Sequence, residues 1–189
     1  MKNIKIVPMD LEKDKPQIAA WDEEFYGSEE YSTIEHFILE DNLIHGLSEL
    51  IETNFERVPI GRDEAKKAFS IKTESGQIAG FLICQVYDMT TPKPTMFLQY
   101  IVLHPDFQHL GYGEEVFSTL FSDPKKYLGV KPHEVFAKID EFNESSLYLF
   151  QKFGFMFPCH DPNYPNLLHA EADMKTIEKR LEEIAKHKN

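Results

Sequence analysis

Gly111 and Gly113, one residue apart, stand between the apolar run Leu98-Gln99-Tyr100-Ile101-Val102-Leu103 and the segment Gly113 to Phe121, which carries Val116, Phe117, Leu120 and Phe121 at helical spacing. A strand, a short loop with two glycines and an amphipathic helix together make a backbone anion cradle. Glycine lets a phosphate approach the main chain, and the first amides of a helix are unpaired and lie at the positive end of its dipole. The same residues also suit a plain strand-to-helix turn in which glycine supplies only its backbone angles. A dinucleotide fold needs a third glycine where Val116 stands, and a phosphate-binding P-loop needs a Lys followed by Ser or Thr, which is absent here.

Strands and helices can be read on either side of this segment. Ile4 and Ile6 alternate with polar residues up to Pro8, giving a first strand. Asp14-Lys15-Pro16-Gln17 reads as an N-cap, a first-turn proline and a capping-box Gln, and Ile18, Trp21 and Phe25 follow on one face of a first helix. Ser32-Thr33-Ile34-Glu35 opens a second helix through Ile51, either long or broken at Gly46. Phe69 and Ile71 alternate with polar residues, the turn Glu74 to Gln77 follows, and Ile78 to Tyr87 is apolar enough for a central strand. Met96 to Leu103 is the next strand, and Asp123-Pro124 stops the helix after it. Glu134 to Ile139 is a strand, Asn143 to Phe153 a helix, and Phe155 and Leu167 to Ala172 mark two further strands. A last helix, capped by Asp173, carries Ile177, Leu181 and Ile184 on one face. The expected fold class is α/β (α+β), a mixed, mostly antiparallel sheet flanked by helices.

With 189 residues the chain is long enough for a single domain with a substantial core. The formal net charge of −12 opposes binding to nucleic acid and favours a cationic partner through steering, although solubility alone also accounts for it. Cys84 and Cys159 lack ligand-type spacing and read as free thiols of a reducing compartment. The N-terminus has no apolar signal region, and no segment reaches the ~18 apolar residues of a membrane helix. The expectation is a cytoplasmic protein with no membrane or metal site.

Gln108-x-x-Gly111-x-Gly113 after Leu103-His104-Pro105 resembles motif A of the GNAT N-acetyltransferases, and Asn143-Glu144-Ser145-Ser146-Leu147-Tyr148-Leu149-Phe150-Gln151-Lys152-Phe153-Gly154-Phe155 resembles their motif B. The resemblance implies a GNAT-type domain over residues 1–173, with 174–189 as a C-terminal helical extension of the same domain. It implies that acetyl-CoA is the cosubstrate and that its acetyl group passes directly to a primary amine, a small molecule or a peptide. It further implies that amides of His109, Leu110, Gly111, Tyr112, Gly113 and Glu114 hold the CoA pyrophosphate. Main-chain groups of Ile101 and Leu103 would pair with pantetheine, and an amide near Leu103 would stabilise the oxyanion. Asn143, Ser146 and Phe150 would face the pantetheine arm, while Asn143 reads equally as a helix N-cap.

Two features depart from that family's pattern. Phe150 stands where many members place a thiolate-protonating Tyr, and Tyr148 is displaced about 200° around the helix from it. No general base is evident either. Trp21, Asp22, Glu24, Phe25, Tyr26, Glu29, Glu30, His160 and His169 come from elements that flank the acceptor site in relatives, but each has a reading as core, solvated face or turn. The rival functions are a non-catalytic acyl-CoA-binding sensor and an interaction domain. The oligomeric state is open, a homodimer included.

Overall fold

The structure, a computed structural model, describes residues 3–21 and 63–187. The described elements are strand β1 (Ile4–Pro8), helix α1 (Asp14–Ala19), strands β2 (Ala65–Thr73), β3 (Ile78–Tyr87) and β4 (Thr95–Leu103), helices α2 (Tyr112–Ser122) and α3 (Pro124–Leu128), strand β5 (Glu134–Asp140), helix α4 (Glu144–Lys152), strands β6 (Met156–His160) and β7 (Leu167–Asp173), and helix α5 (Met174–His187). The helix expected from Ser32 onward, and Asp22, Glu24, Phe25, Tyr26, Glu29 and Glu30, lie outside the described residues.

The strands form one seven-stranded sheet in the order β1-β2-β3-β4-β5-β7-β6. Its pairs are antiparallel except β4 with β5, whose parallel pairing follows from the crossover through α2 and α3. The mixed, mostly antiparallel sheet with flanking helices is the architecture read from the sequence. The central strand β3 is covered on both faces, which is why Ile78 to Cys84 runs apolar without alternation. Leu82, Cys84 and Val86 enter the larger core with residues of α2, α4 and α5, whereas Phe81 and Ile83 enter a second core with Ile18 and Trp21.

One local reading is corrected and another extended. Asp14 is not an N-cap: Lys13 holds that place without a side-chain bond, and Asp14 opens the helix as a buried residue. Its carboxylate accepts from Ser70 Oγ at 2.6 Å, Lys72 Nζ at 2.8 Å and the Asp10 amide at 3.1 Å, so tertiary partners take it inward. Asp123-Pro124 does end α2, but it also starts α3. The Asp123 carboxylate accepts from the Lys126 amide at 3.3 Å, and Pro124 occupies the first turn, where its missing N–H costs nothing.

Candidate active site

Parallel pairing of β4 with β5 ends at Leu98 and Ala137, although β4 continues to Leu103 and β5 to Asp140. The sheet therefore opens between the last residues of these two strands. A bulge lies at the point of opening: Ile83 pairs with Tyr100 and Cys84 with Leu98, which leaves Gln99 as the extra residue. A bulge bends its strand and raises the local twist, here at the vertex of the gap. It also shifts the alternation, so Ile101 and Leu103 pack toward the same core as Met96 and Leu98, while Tyr100 and Val102 join the second core.

Hydrogen-bond parity fixes which edge of β4 faces the gap. The His104 amide donates to the Ala79 carbonyl on β3 at 2.9 Å, so the main-chain groups of Val102 also point toward β3 and those of Ile101 and Leu103 point away from it. The edge assigned to pantetheine from the sequence is thus the edge turned to the opening. The Leu103 carbonyl already accepts from Gln108 Nε2 at 2.9 Å. That bond ties the loop back onto the strand and gives the motif glutamine a positioning task.

The loop then makes a 3-10 turn at Pro105–Phe107, where His104 Nδ1 accepts from the Asp106 amide at 3.3 Å. The ring of His104 also meets Trp21 edge-on at 5.1 Å, anchoring the turn in the second core. His109 (φ 51) and Gly111 (φ 85) are both left-handed and swing the chain into α2. The two glycines serve different needs. Gly111 takes the left-handed angle and faces open space, since an added Cβ would meet nothing within 4 Å. Gly113 makes room for α4, since a Cβ there would come within 3.1 Å of Leu149 Cδ2.

No side chain caps α2, because its N-cap position is Gly111. By contrast α3, α4 and α5 are capped by Asp123, Asn143 and Asp173. The amides of the first turn of α2 are thus left without a side-chain acceptor from the N-cap, beside the gap in the sheet and behind a glycine that leaves the approach clear. Segment 104–113 carries no Lys or Arg, and the first turn carries Glu114 and Glu115. A cation reaches this turn from α4: Lys152 Nζ lies 2.5 Å from Glu114 Oε1. In the sequence Lys152 stands out only as part of a motif.

On α4 the expected face divides. Asn143 caps the helix, its Oδ1 accepting from the Ser146 amide at 3.0 Å, and its Nδ2 retains separate donor capacity. Asn143 and Ser146 are both partly exposed. Phe150, expected beside the pantetheine arm, instead lies in the larger core at 2% exposure, edge-on to Phe117 at 5.0 Å and Phe155 at 4.8 Å. The i, i+3, i+7 rule places residues on one stripe, but the far end of that stripe is where α4 meets α2 and Phe155. Phe150→Tyr is accordingly expected to bury a hydroxyl among rings, lowering stability by about 1–3 kcal/mol without raising turnover. Urea denaturation beside steady-state rates checks this, and a stable, faster variant would contradict it.

Tyr148 is 63% exposed and sits under the Lys152 ammonium at 5.8 Å. His160, the last residue of β6, is 3.3 Å from Glu141, and His169 on β7 is 3.4 Å from Glu171 and stacks on Phe136. Trp21 is core. Burial pushes the Cys84 thiol up to about 12, which removes it as a nucleophile. Among the described residues no group of three or more His, Cys, Asp or Glu is placed to hold a metal ion, and no described helix is long and apolar enough to cross a membrane.

Solved structures share this architecture. The spermidine N-acetyltransferase of Vibrio cholerae in complex with CoA and spermine superposes with a TM-score of 0.58 at 11% identity, over 93% of this chain and 98% of that one. An acetyltransferase from Thermus thermophilus gives a TM-score of 0.59 at 19% identity, over 92% of this chain and 99% of that one. A dodecameric form of the Vibrio enzyme gives 0.55 at 11% identity, over 91% and 94%. No curated protein matches the sequence. At these identities the structural likeness speaks for the fold, whereas the model of the acetyltransferase (GNAT) family matches residues 16–155, which hold the opened strand pair, the glycine loop, α2 and α4. The chain therefore belongs to the GNAT family of acetyltransferases.

Proposed function

We propose that the protein takes acetyl-CoA as cosubstrate and transfers its acetyl group directly to a primary amine. The observation that carries this reading is the opening of β4 from β5 beyond Leu98 and Ala137, which ends at an α2 N-terminus with no side-chain cap. The residues fit the cosubstrate. Amides between His109 and Glu114 would hold its diphosphate, and main-chain groups of Ile101 and Leu103 would hold pantetheine as an added strand. Asn143 Nδ2 and Ser146 would meet the arm from α4. Acetyl-CoA supplies an already activated thioester, so the chain's principal task is to align the amine, an effect able to supply several kcal/mol. An amide near Leu103 would stabilise the negative charge that develops on the acyl oxygen.

Charge supports a cationic acceptor. A net charge of −12 draws cations; an ammonium that gives one proton to water becomes the neutral nucleophile, and the second proton it sheds on acylation leaves with CoA as the free thiol. The Vibrio enzyme was solved with spermine, which makes polyamines the first acceptors to test. Residues 174–189 belong to the same folding unit in this reading, because Met174 and Ile177 are buried in the larger core.

Acetyl-CoA at ~100 times its dissociation constant is expected to add about 2.7 kcal/mol of stability, a rise in melting temperature of roughly 5–11 °C for a domain of this size. Release of CoA above the hydrolysis background is expected with at least one class among polyamines, aminoglycosides and peptide N-termini. Calorimetry that shows no binding at millimolar acetyl-CoA would overturn the proposal.

A further inference from the structure

We propose that Lys152 is the cation of the diphosphate site, held in place by Glu114 until the diphosphate arrives; this rests on the acetyl-CoA reading above. The glycine loop contains no Lys or Arg, and the helix it opens begins with two carboxylates. A doubly charged diphosphate entering there meets repulsion that amides alone must offset, unless a cation reaches in from another element.

Helix α4 provides one. Leu149 packs against Gly113, closely enough that a Cβ on Gly113 would come within 3.1 Å of it, so the end of α4 lies across the first turn of α2. Lys152 is three residues further on the same face, and its ammonium bonds Glu114 Oε1. Helical side chains lean toward the N-terminus, so the Glu114 carboxylate and the ammonium on it lie beside the turn formed by Gly111 to Gly113. The Lys152 side chain is 29% exposed, and an ammonium has three donors. It can keep Glu114 with one and turn another to a phosphate oxygen. Lys152 thereby neutralises the carboxylate that would oppose the ligand and contributes a charge-assisted bond of its own.

The arrangement makes opposite demands on the two partners, which a simple strap between helices would not. Isothermal titration of the full chain with CoA and with 3′-dephospho-CoA is the test, with folding of every variant followed by thermal melting. Lys152→Met is expected to weaken both ligands by about tenfold or more and equally, and Lys152→Arg to retain most of the affinity. Glu114→Gln keeps the backbone amide assigned to the diphosphate and removes only the side-chain charge, so it is expected to bind more tightly than wild type, and the double variant to recover part of the Lys152→Met loss. Equal weakening by Glu114→Gln and Lys152→Met, with no recovery in the double variant, would overturn the proposal in favour of a strap. A loss confined to CoA and absent with 3′-dephospho-CoA would overturn it by moving Lys152 to the 3′-phosphate. Wild type that binds while Lys152→Met makes no difference removes this inference alone, whereas wild type that binds neither ligand removes the acetyl-CoA reading with it.

Discussion

Gly111→Glu is expected to lower affinity for acetyl-CoA by about a thousandfold in a protein that still folds. Open space lies where a side chain on residue 111 would start, so a glutamate is accommodated and its carboxylate occupies the approach to the first turn of α2. Two like charges about 4 Å apart near a protein surface repel by about 4 kcal/mol, and each 1.4 kcal/mol is tenfold in affinity. The left-handed angle of residue 111, φ 85, adds a separate cost. Any side chain there is strained by about 1–2 kcal/mol, which lowers stability and leaves ligand contacts alone. Gly111→Ala isolates that cost: it should melt lower than wild type yet bind within severalfold of it. Titration of both variants, with circular dichroism to confirm folding, decides the matter. Unchanged affinity in a folded Gly111→Glu protein would remove the phosphate path from this turn.

Asp14→Ala is expected to destabilise the fold by about 3 kcal/mol at neutral pH. Removing one partner of a buried charged pair costs about 3–5 kcal/mol, and the lower end applies because the Lys72 side chain keeps 26% exposure and can reach water. The remaining loss comes from Ser70 Oγ, a buried donor left without its acceptor. Stability should also depend on acid. Burial pushes the Asp14 carboxyl up, but the bonds from Lys72, Ser70 and the Asp10 amide, with the Lys72 charge, outweigh it and hold the group below its ordinary value. A carboxyl whose pKa is depressed in the folded state contributes stability above the unfolded value of about 3.9, and this contribution is lost as pH falls through the folded value. The gap between wild type and Asp14→Ala should therefore be widest near pH 7 and shrink below about pH 4. Urea denaturation at pH 7 and pH 3 measures it, and a gap that stays constant would rule out the ionised carboxylate as its source.

Much of this protein is legible in the chain because it is local. The left-handed turn at Gly111, the cap that Asn143 places on α4 and the cap that Asp173 places on α5 each join residues no more than three or four positions apart. Strand β3 reads correctly because burial on both faces leaves an unbroken apolar run. The sheet class follows from the alternation of such runs with amphipathic ones, and the two motifs of the family resemblance lie within single strand-loop-helix and helix segments.

Other features depend on partners that spacing does not encode. Asp14 has the residue type and neighbours of an N-cap, yet its carboxylate turns to Ser70 and Lys72, 56 and 58 positions away, because a buried charge gains more from an ammonium and a hydroxyl than from one helix amide. Phe150 lies on the stripe drawn from Asn143 and Ser146, but the docking of α4 on α2 carries that end of the stripe into the core. The bulge at Gln99 and the parting of β4 from β5 have no signature in residue type, since hydrogen-bond pairing between strands is settled by the sheet as a whole. Lys152 reaches Glu114 across 38 positions because Gly113 lets α4 come close. The glycine loop was thus written in the chain, but the gap it faces and the charge beside it came from which elements packed together.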